Sequence, residues 1–211
     1  MSKQCDELHK IFNSMHRYRF PFDKKTIPQN GIYILFEDGE KAHGVDRIVR
    51  IGTHTGKDQL PSRLQQHFIM ENKDRSIFRK NIGRAILNKR NDEFLRQWEI
   101  DLTPKASRDN NLKNIDIKRL NNVEKEVSKY MQENFSFAVF AVDDKKQRLE
   151  LESKIISTVS LCKECNHSKD WLGNFSPKEK IRKSGLWLVN ELYKEPLTVK
   201  DIDIIKNLIK Q

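Results

Sequence analysis

The spacing of apolar residues along the chain predicts a succession of helices and strands. Apolar positions recur at helical spacing over residues 6–18, which predicts an amphipathic helix. Residues 31–37 and 47–53 are rich in Ile, Val and Phe, and they predict two strands joined by a turn longer than a minimal hairpin loop. Residues 135–143 are apolar at both alternating sets of positions, so this strand is expected to be buried on both sides.

The same reasoning predicts most of the remaining elements as helices. Helical spacing of apolar residues is found at 60–70, 76–90, 121–133, 145–161 and 198–210. Residues 101–120 show no strong period and are interpreted as an inserted loop, and residues 161–187 are loop-rich. Because the chain shows no repeat and no convincing boundary, we interpret residues 1–211 as a single domain.

The predicted helix at 145–161 carries a carboxylate in the middle of its apolar face. At about 100° per residue, one face is formed by four apolar residues: Leu149, Ile155, Ile156 and Val159. Glu152 falls at the centre of that face, whereas Glu150 falls on the opposite side. A carboxylate in an apolar stripe is costly unless it is paired, protonated or bound to a metal. The pattern therefore indicates either a metal ligand or a buried Glu152 that is held by an arginine.

A second helix offers chemistry suited to a phosphate. Arg63 and His67 lie one turn apart in the predicted helix at 60–70, so they project from the same side. An arginine can clamp a phosphate through its planar fork of donors, and a histidine can carry a proton near neutral pH. The alternative for this pair is a surface arginine beside a partly buried, structural histidine.

The first two strands carry polar side chains among their apolar residues. Alternation places Tyr33 and Leu35 on one face of the first strand, and Ile48 and Arg50 on one face of the second. Tyr33 and Arg50 can therefore share one face of the sheet. A buried tyrosine with its hydroxyl at a sheet edge is also a common structural feature, which is the alternative here.

These residues resemble the motifs of the GIY-YIG nuclease superfamily, in particular its compact, restriction-endonuclease-like branch. The matching features, in the family's order, are "GIY" at 31–33, "RIG" at 50–52, Arg63 with His67, and "LESKII" around Glu152. The resemblance covers about residues 28–175 and implies an α/β (α+β) fold with a small, mainly antiparallel, three-stranded sheet flanked by helices. Residues 71–134 would then form a helical insertion larger than the minimal nuclease module carries.

The resemblance implies a Mg²⁺-dependent DNA endonuclease of restriction or repair type. Following the family, Glu152 would hold one Mg²⁺ or Mn²⁺, and Tyr33 would orient or deprotonate the attacking water, with His67 taking the proton. Arg63 would stabilise charge on the phosphate in the transition state. Asn174, in the sequence "WLGNFSP", lies where family members often place an asparagine that supports the site.

One departure from the family pattern is chemically important. Arg50 stands where the second motif of the family has a tyrosine that lines the site. An arginine cannot act as a base at neutral pH because its pKa is above about 12, but it can hold a phosphate oxygen or a tyrosinate. Arg50 is therefore either a substitute electrostatic residue or a sign of altered activity. In the second case the protein would bind nucleic acid without cutting it.

Composition favours an anionic partner. The chain has 211 residues, with 40 Lys and Arg against 30 Asp and Glu, and a formal net charge of +10. This surplus favours nucleic acid as the partner over a membrane surface, because no amphipathic helix with aromatic anchors accompanies it. The alternative from charge alone is a soluble basic protein with no polyanion partner. Five residues are predicted DNA contacts: Arg79, Lys80, Arg84, Arg182 and Lys183. The alternative for the basic helix at 76–90 is a solvated face.

Two further observations concern compartment and metals. No stretch approaches the ~20 apolar residues of a membrane span, and the first residues contain no apolar signal-peptide core, so a cytoplasmic location is expected. Cys162, Cys165 and His167 have the spacing of zinc ligands. Nothing in the sequence brings a fourth ligand, Cys5 or His9, near them, so structural zinc is the less favoured interpretation.

Overall fold

The computed structural model describes residues 2–210 and shows a mixed α/β fold with one antiparallel sheet between helices. The strands are β1 (Tyr18–Arg19), β2 (Gly31–Ala42), β3 (Val45–Gly52) and β4 (Phe135–Ala141), in the spatial order β1-β4-β2-β3. The helices are α1 (Ser2–Asn13), α2 (Leu60–Phe68), α3 (Ile77–Lys89), α4 (Leu95–Trp98), α5 (Lys105–Asn111), α6 (Ile117–Asn134), α7 (Lys145–Ser160), α8 (Glu179–Ser184) and α9 (Val199–Ile209). Within the described residues, none of them is both long and apolar enough to cross a membrane. The predicted fold class is confirmed, although this part of the chain forms four strands and not three.

Each face of the sheet is covered by its own apolar cluster. On one face, Tyr33 and Val49 pack with apolar residues of α2, α3 and α6. On the other face, Ile32 and Ile34 pack with apolar residues of α1, α7 and α9. Alternate residues of β4 also enter opposite clusters, so this strand is buried on both sides, as its sequence predicted.

The connection between β2 and β3 is shorter than predicted. The two strands are joined by a two-residue turn, His43–Gly44, whose φ angles are 52° and 76°. Positive φ at both central positions is typical of a type I′ turn, which suits the twist of a hairpin. The prediction of a long turn was wrong because the charged residues lie in an irregular stretch of the strand ladder, between the Phe36 and Lys41 pairs, and not in a loop.

A bulge in β3 changes which side chains share a face. Leu35 pairs with Arg50 and Phe36 pairs with Ile48, so the pairing with β2 skips Val49. Val49 and Arg50 consequently lie on the face of Leu35, whereas Ile48 packs on the opposite face. The predicted grouping of Ile48 with Arg50 was wrong because strict alternation fails at a bulge.

Other segments differ from the predicted elements in smaller ways. α1 ends at Asn13, and Tyr18 then pairs with Phe137 to add the short strand β1 at the sheet edge. The predicted loop at 101–120 contains α5 and the start of α6. No residue of α5 is buried, so no apolar stripe marks it in the sequence. Helices α3 to α6 occupy the predicted helical insertion at 71–134, between α2 and β4.

A buried carboxylate anchors the loop-rich segment that follows α7. The Glu37 side chain accepts hydrogen bonds from the indole N–H groups of Trp171 and Trp187, at 2.7 and 2.9 Å, and from the Tyr130 hydroxyl. Burial raises the pKa of Glu37, and these three donors oppose that rise. The two tryptophans thereby hold residues 161–187 against the sheet face that carries Tyr33.

Candidate active site

Tyr33 lies directly over Gly52, the glycine of the second motif. The two residues are paired between β2 and β3, and a Cβ built on Gly52 would lie 2.2 Å from the Tyr33 hydroxyl oxygen. Only glycine leaves room for the phenol ring to cross the neighbouring strand at this point. The two sequence motifs are therefore one structural unit, in which the second provides the space that the tyrosine of the first occupies.

The Tyr33 hydroxyl belongs to a buried hydrogen-bonded chain that ends at helix α3. It lies 2.8 Å from His67 Nε2, and His67 Nδ1 lies 2.7 Å from the Ser76 hydroxyl oxygen. Ser76 is the N-cap of α3 and accepts a hydrogen bond from the backbone N–H of Arg79. Helix α2 thus supplies the histidine, and the cap of α3 fixes the orientation of its ring.

His67 is fully buried, and its surroundings favour the neutral imidazole. Burial lowers its pKa well below the usual value, and the positive charges of Arg63, Arg50 and Arg79 lower it further. A neutral imidazole has one donor nitrogen and one acceptor nitrogen. When Nδ1 donates to the serine, Nε2 is the acceptor for the tyrosine hydroxyl.

Glu152 lies on the inner side of α7, where the helical spacing predicted it. It is half-buried, whereas Glu150 is exposed and forms an ion pair with Lys154 at 2.9 Å. Burial raises the pKa of Glu152 to about 7, against the opposing effects of the Arg50 charge and a backbone hydrogen bond from Thr53. The Glu152 carboxylate therefore lies beside the end of β3, close to the arginine of the second motif.

Arg50 is buried, with 5% of its surface exposed. Its guanidinium donates to the Trp187 carbonyl oxygen and lies over the Phe78 ring, with 4.9 Å between the guanidinium carbon and the ring centroid. Its Nε is buried and has no hydrogen-bond partner among the described residues. A buried donor without a partner is uncommon in proteins.

A polar cleft of about 350 Å³ opens between the end of β3 and the start of α2. Its lining residues are Thr53, His54, Thr55, Gln59, Ser62, Arg63 and Gln66. Arg63 is half-buried and donates to the Gln66 side chain and the Arg75 carbonyl oxygen, each at 3.0 Å. Thr53 lines this cleft and its backbone N–H donates to Glu152, so the carboxylate adjoins the cleft.

Two residues near the cleft were missed by the sequence reasoning. His54 is buried, and its Nδ1 donates to the Gly56 carbonyl oxygen at 2.7 Å, while Nε2 has no partner within the described residues. Burial and the neighbouring charge of Arg148 lower the pKa of His54. Arg148 is itself buried and donates to the Val142 carbonyl oxygen at 2.8 Å. Its place one turn before Glu152 on α7 was the signal that could have found it.

Asn174 lies in a turn of the segment anchored by the tryptophans. Its side-chain amide donates to the carbonyl oxygens of Ser168 and Lys169, at 3.0 and 2.9 Å. Within the described residues, both of these hydrogen bonds join Asn174 to its own loop. A role for Asn174 in supporting the site stays a prediction.

Helix α3 is not the basic surface that its sequence suggested. Arg79 is fully buried and pairs with Glu124 at 2.7 Å. Lys80 and Arg84 are also buried, and they pair with Asp74 and Glu99 respectively. A DNA phosphate cannot reach these donors without breaking the pairs, so the structure corrects the expected solvent-facing position of Arg79, Lys80 and Arg84. These cations are paired because acidic residues from before the helix, Asp74, and from after it, Glu99 and Glu124, fold against it.

The other two predicted DNA contacts are exposed. Arg182 and Lys183 lie on α8, and their side chains reach the Ser176 carbonyl oxygen and Glu179, at 2.5 and 2.8 Å. Both cations remain open to solvent, where such pairs are weak. Their contact with DNA stays a prediction.

His167 does not join the two cysteines with which the sequence grouped it. Its Nε2 lies 3.0 Å from the Arg182 carbonyl oxygen, and its ring packs on Trp171 at 5.1 Å between centroids. The metal-ligand spacing of Cys162, Cys165 and His167 therefore does not correspond to one cluster. The thiol of Cys165 points instead toward α1 and the hairpin turn.

Comparison with known proteins agrees with this arrangement. A search of curated proteins and a search of solved structures each return no match. A model of one family, described as the GIY-YIG domain, matches residues 3–211. The match covers nearly the whole chain, including both strand motifs, the arginine helix and the helix of Glu152. This chain is therefore a member of the GIY-YIG family, whose members are nucleases.

Proposed function

We propose that this protein is a Mg²⁺-dependent DNA endonuclease, which also accepts Mn²⁺, and that Glu152 is its metal ligand. The observation that carries the proposal is the position of Glu152 beside the end of β3. It faces Arg50 from the inner side of α7, while the other carboxylate on this helix segment, Glu150, is exposed and paired. A half-buried carboxylate in a positive field, next to a polar cleft, suits a site that gathers a cation and a phosphate.

The donor set fits a hard cation. Glu152 supplies carboxylate oxygens, and the adjoining cleft is lined by hydroxyl, amide and imidazole groups and by the Arg63 guanidinium, with no thiol. Mg²⁺ prefers oxygen ligands, keeps several waters, and needs only one or two protein carboxylates. The chemistry that such an ion supplies when bound is polarisation of the scissile phosphate and stabilisation of the charge that develops on it.

The side chains of this site supply positioning and charge. The Tyr33 hydroxyl donates to His67 Nε2, which leaves its oxygen lone pairs free to accept a hydrogen bond from the attacking water. His67 holds the phenol in place and is a poor final acceptor for the proton, because burial and three arginines oppose an imidazolium. Arg63, at the cleft, stabilises negative charge on the phosphate in the transition state.

Arg50 takes an electrostatic part in this scheme. It cannot remove a proton from water as a base would, but its charge keeps Glu152 more acidic than burial alone would allow. Its Nε is buried and unpartnered, so its charge, and not a solvent-facing donor, is what it offers the site. We therefore assign Arg50 to charge stabilisation, and Tyr33 alone to contact with the water.

Cleavage of supercoiled plasmid in Mg²⁺, compared with the same reaction in EDTA, tests the proposal. We expect nicked or linear product only with the metal, and none from Glu152→Gln. Glu150→Gln is the matched control, since it removes a charge from the opposite, exposed side of the same helix. This variant should cut like the wild type. Cleavage by Glu152→Gln, or cleavage in EDTA, would contradict the assignment.

A second function is favoured by one observation, the arginine at position 50. The side chain is tied to the Trp187 carbonyl oxygen and to Phe78, as a structural residue would be. A protein of this kind would bind nucleic acid without cutting it. Salt-sensitive DNA binding together with no cleavage of several DNA substrates in Mg²⁺ and Mn²⁺ would select this alternative.

A further inference from the structure

Four metal-binding side chains from three separate parts of the chain converge behind the β2–β3 hairpin. Helix α1 contributes Cys5 and His9, the hairpin turn contributes His43, and the segment after α7 contributes Cys165. One ligand atom from each residue lies within 4.8 Å of every other. We infer that these four residues form a structural zinc site, at the end of the hairpin opposite Tyr33 and Gly52.

The distances match a tetrahedral site. Cys165 Sγ lies 3.3 Å from Cys5 Sγ, 3.1 Å from His43 Nε2 and 3.9 Å from His9 Nε2. Zinc bonds of about 2.3 Å to sulfur and 2.0–2.1 Å to nitrogen place neighbouring ligand atoms about 3.3–3.8 Å apart in a tetrahedron. The four atoms are therefore already close to the spacing that zinc requires.

His9 has the outer hydrogen-bond partner that a zinc-bound imidazole usually has, and two carboxylates lie near the outer nitrogen of His43. His43 Nδ1 lies 3.7 Å from a Glu164 carboxylate oxygen and 4.0 Å from one of Asp6. His9 Nδ1 lies 2.9 Å from the Cys5 carbonyl oxygen. The carbonyl acceptor on His9 Nδ1 fixes that ring and leaves its other nitrogen free for the metal. In both residues the nitrogen left for the metal is Nε2.

Burial and backbone geometry support the same conclusion. Cys5 and His9 are fully buried and Cys165 nearly so, and the His43 side chain is 4% exposed. His43 adopts a φ of 52°, which is uncommon for a residue other than glycine. A metal bond would tie the tip of this turn to α1.

The ligand chemistry selects zinc. Two thiols and two imidazoles form a soft, tetrahedral S₂N₂ set, which zinc prefers and magnesium does not. A site that offers no open position and no water-facing ligand is structural, not catalytic. It would tie the first helix, the hairpin turn and the segment that carries Cys165 into one unit.

Cys162 is the competitor for the fourth position. Its Sγ lies 3.5 Å from His43 Nε2, but the residue is only half-buried. We assign the position to His9 because it is fully buried and its ligand atom lies within 4.8 Å of the thiol sulfurs of Cys5 and Cys165 and of the His43 ring nitrogen. The backbone N–H of Ile48, 3.2 Å from His9 Nε2, would give up this acceptor when the metal binds.

Zinc content of the purified, chelator-free protein tests the inference. We expect one Zn²⁺ per chain, released when the thiols are modified with a mercurial reagent. Cys5→Ser and Cys165→Ser should lose the metal, whereas the matched control Cys162→Ser should keep it. Substitution with Co²⁺ should give the visible spectrum of a tetrahedral site with two thiolate ligands.

Three results would overturn the site as assigned. They are protein that neither contains zinc nor takes it up under reducing conditions, a disulfide between Cys5 and Cys165 in the native protein, and loss of zinc from Cys162→Ser but not from His9→Gln. Wild-type zinc content and the Co²⁺ spectrum of the wild-type protein require no variant, so they remain informative if a variant does not fold. Glu152→Gln should keep its zinc, so failure of the nuclease proposal would be seen separately.

Discussion

At the scale of single residues, the crossing of Tyr33 over Gly52 makes a sharp prediction. Gly52→Ala would place a methyl group 2.2 Å from the Tyr33 hydroxyl oxygen, so the ring must move and lose its bond to His67. We expect plasmid cleavage to fall at least tenfold and the free energy of unfolding to fall by about 1–3 kcal/mol, as for other overpacked sites. Cleavage assays and urea unfolding measure the two effects. Unchanged activity in Gly52→Ala would show that the tyrosine position is not needed.

His67 predicts a pH dependence of stability. Its folded pKa is lowered well below the value near 6.5 that applies in the unfolded chain. The unfolded chain therefore binds more protons than the folded protein does when the pH falls below neutrality. The stability that is present above the unfolded pKa is lost as the pH falls through that value toward the folded pKa. Between pH 7.5 and 5.5 this one group should cost about 1.4 kcal/mol.

Urea unfolding of wild type and His67→Gln at those two pH values measures the effect. The variant should lose less stability on acidification, because it has no imidazole to protonate at this position. His16→Gln is the matched control, since His16 is exposed. Equal acid sensitivity of wild type and His67→Gln would contradict the buried, neutral state of His67.

Helical spacing located Glu152, and the motif resemblance grouped Arg50 and Arg63 with it, but neither located His54 or Arg148. A period of about 100° per residue places one carboxylate inward and Glu150 outward whatever surrounds the helix. The positive charge that lowers the pKa of Glu152 belongs instead to Arg50, which lies in β3, far earlier in the chain. His54 and Arg148 were missed for the same reason, because their burial is decided by tertiary packing.

At the scale of elements, α3 shows how composition can mislead. Its basic residues suggested a DNA-facing helix, but Arg79 reaches inward and bonds to Glu124, Ser128 and the His67 carbonyl oxygen. The partners lie on α6 and α2, and only the fold brings them within reach. The helix therefore supports the site from behind by holding both α2 and the N-cap at Ser76.

Arg79→Met tests this supporting role. The substitution would leave the Glu124 carboxylate buried without its partner, and we expect about 3–5 kcal/mol of destabilisation. The double variant with Glu124→Leu should recover most of that loss, because no unpaired charge remains. Arg182→Met, on the exposed face of α8, is the control and should change stability little.

Thermal or urea unfolding measures all three variants. A near-neutral Arg79→Met would mean that the pair with Glu124 does not stabilise the fold, and it would reopen α3 as a DNA-contacting element.

The β2–β3 hairpin shows the same limit of prediction from sequence. The residues predicted to form a long turn instead pair irregularly between β2 and β3, where a bulge also occurs at Val49. The free-energy cost of a bulge depends on the partner strand.

At the scale of the whole molecule, the net charge of +10 predicts salt-sensitive DNA binding. The burial of the α3 cations leaves a smaller set of exposed ones, which includes Arg182 and Lys183. For about four phosphate contacts, raising salt from 50 to 200 mM should weaken binding on the order of 100-fold. Fluorescence anisotropy with a labelled duplex, in EDTA to prevent cutting, measures the slope.

Replacing Arg182 and Lys183 together should make that slope shallower, whereas Arg79→Met should leave it unchanged in protein that remains folded. An affinity that does not depend on salt would contradict phosphate contact as the basis of binding. The order of the main elements could be predicted because periodicity is a local property, and the fold class because the motifs resemble those of the GIY-YIG nucleases. The strand partner of Tyr18, the tight turn at His43–Gly44 and the convergence of Cys5 with Cys165 could not, because each joins residues distant along the chain.

The shared bond of Trp171 and Trp187 to Glu37 has an optical consequence. The two indole rings lie 5.0 Å apart and are tilted by 59°, so their electronic transitions should couple and give paired circular-dichroism bands of opposite sign. The coupling exists only while the segment after α7 is docked, and that segment also supplies the carbonyl oxygen that holds Arg50. The protein thus carries an intrinsic, label-free signal for the integrity of its site, which can be followed through unfolding or DNA binding without any added probe.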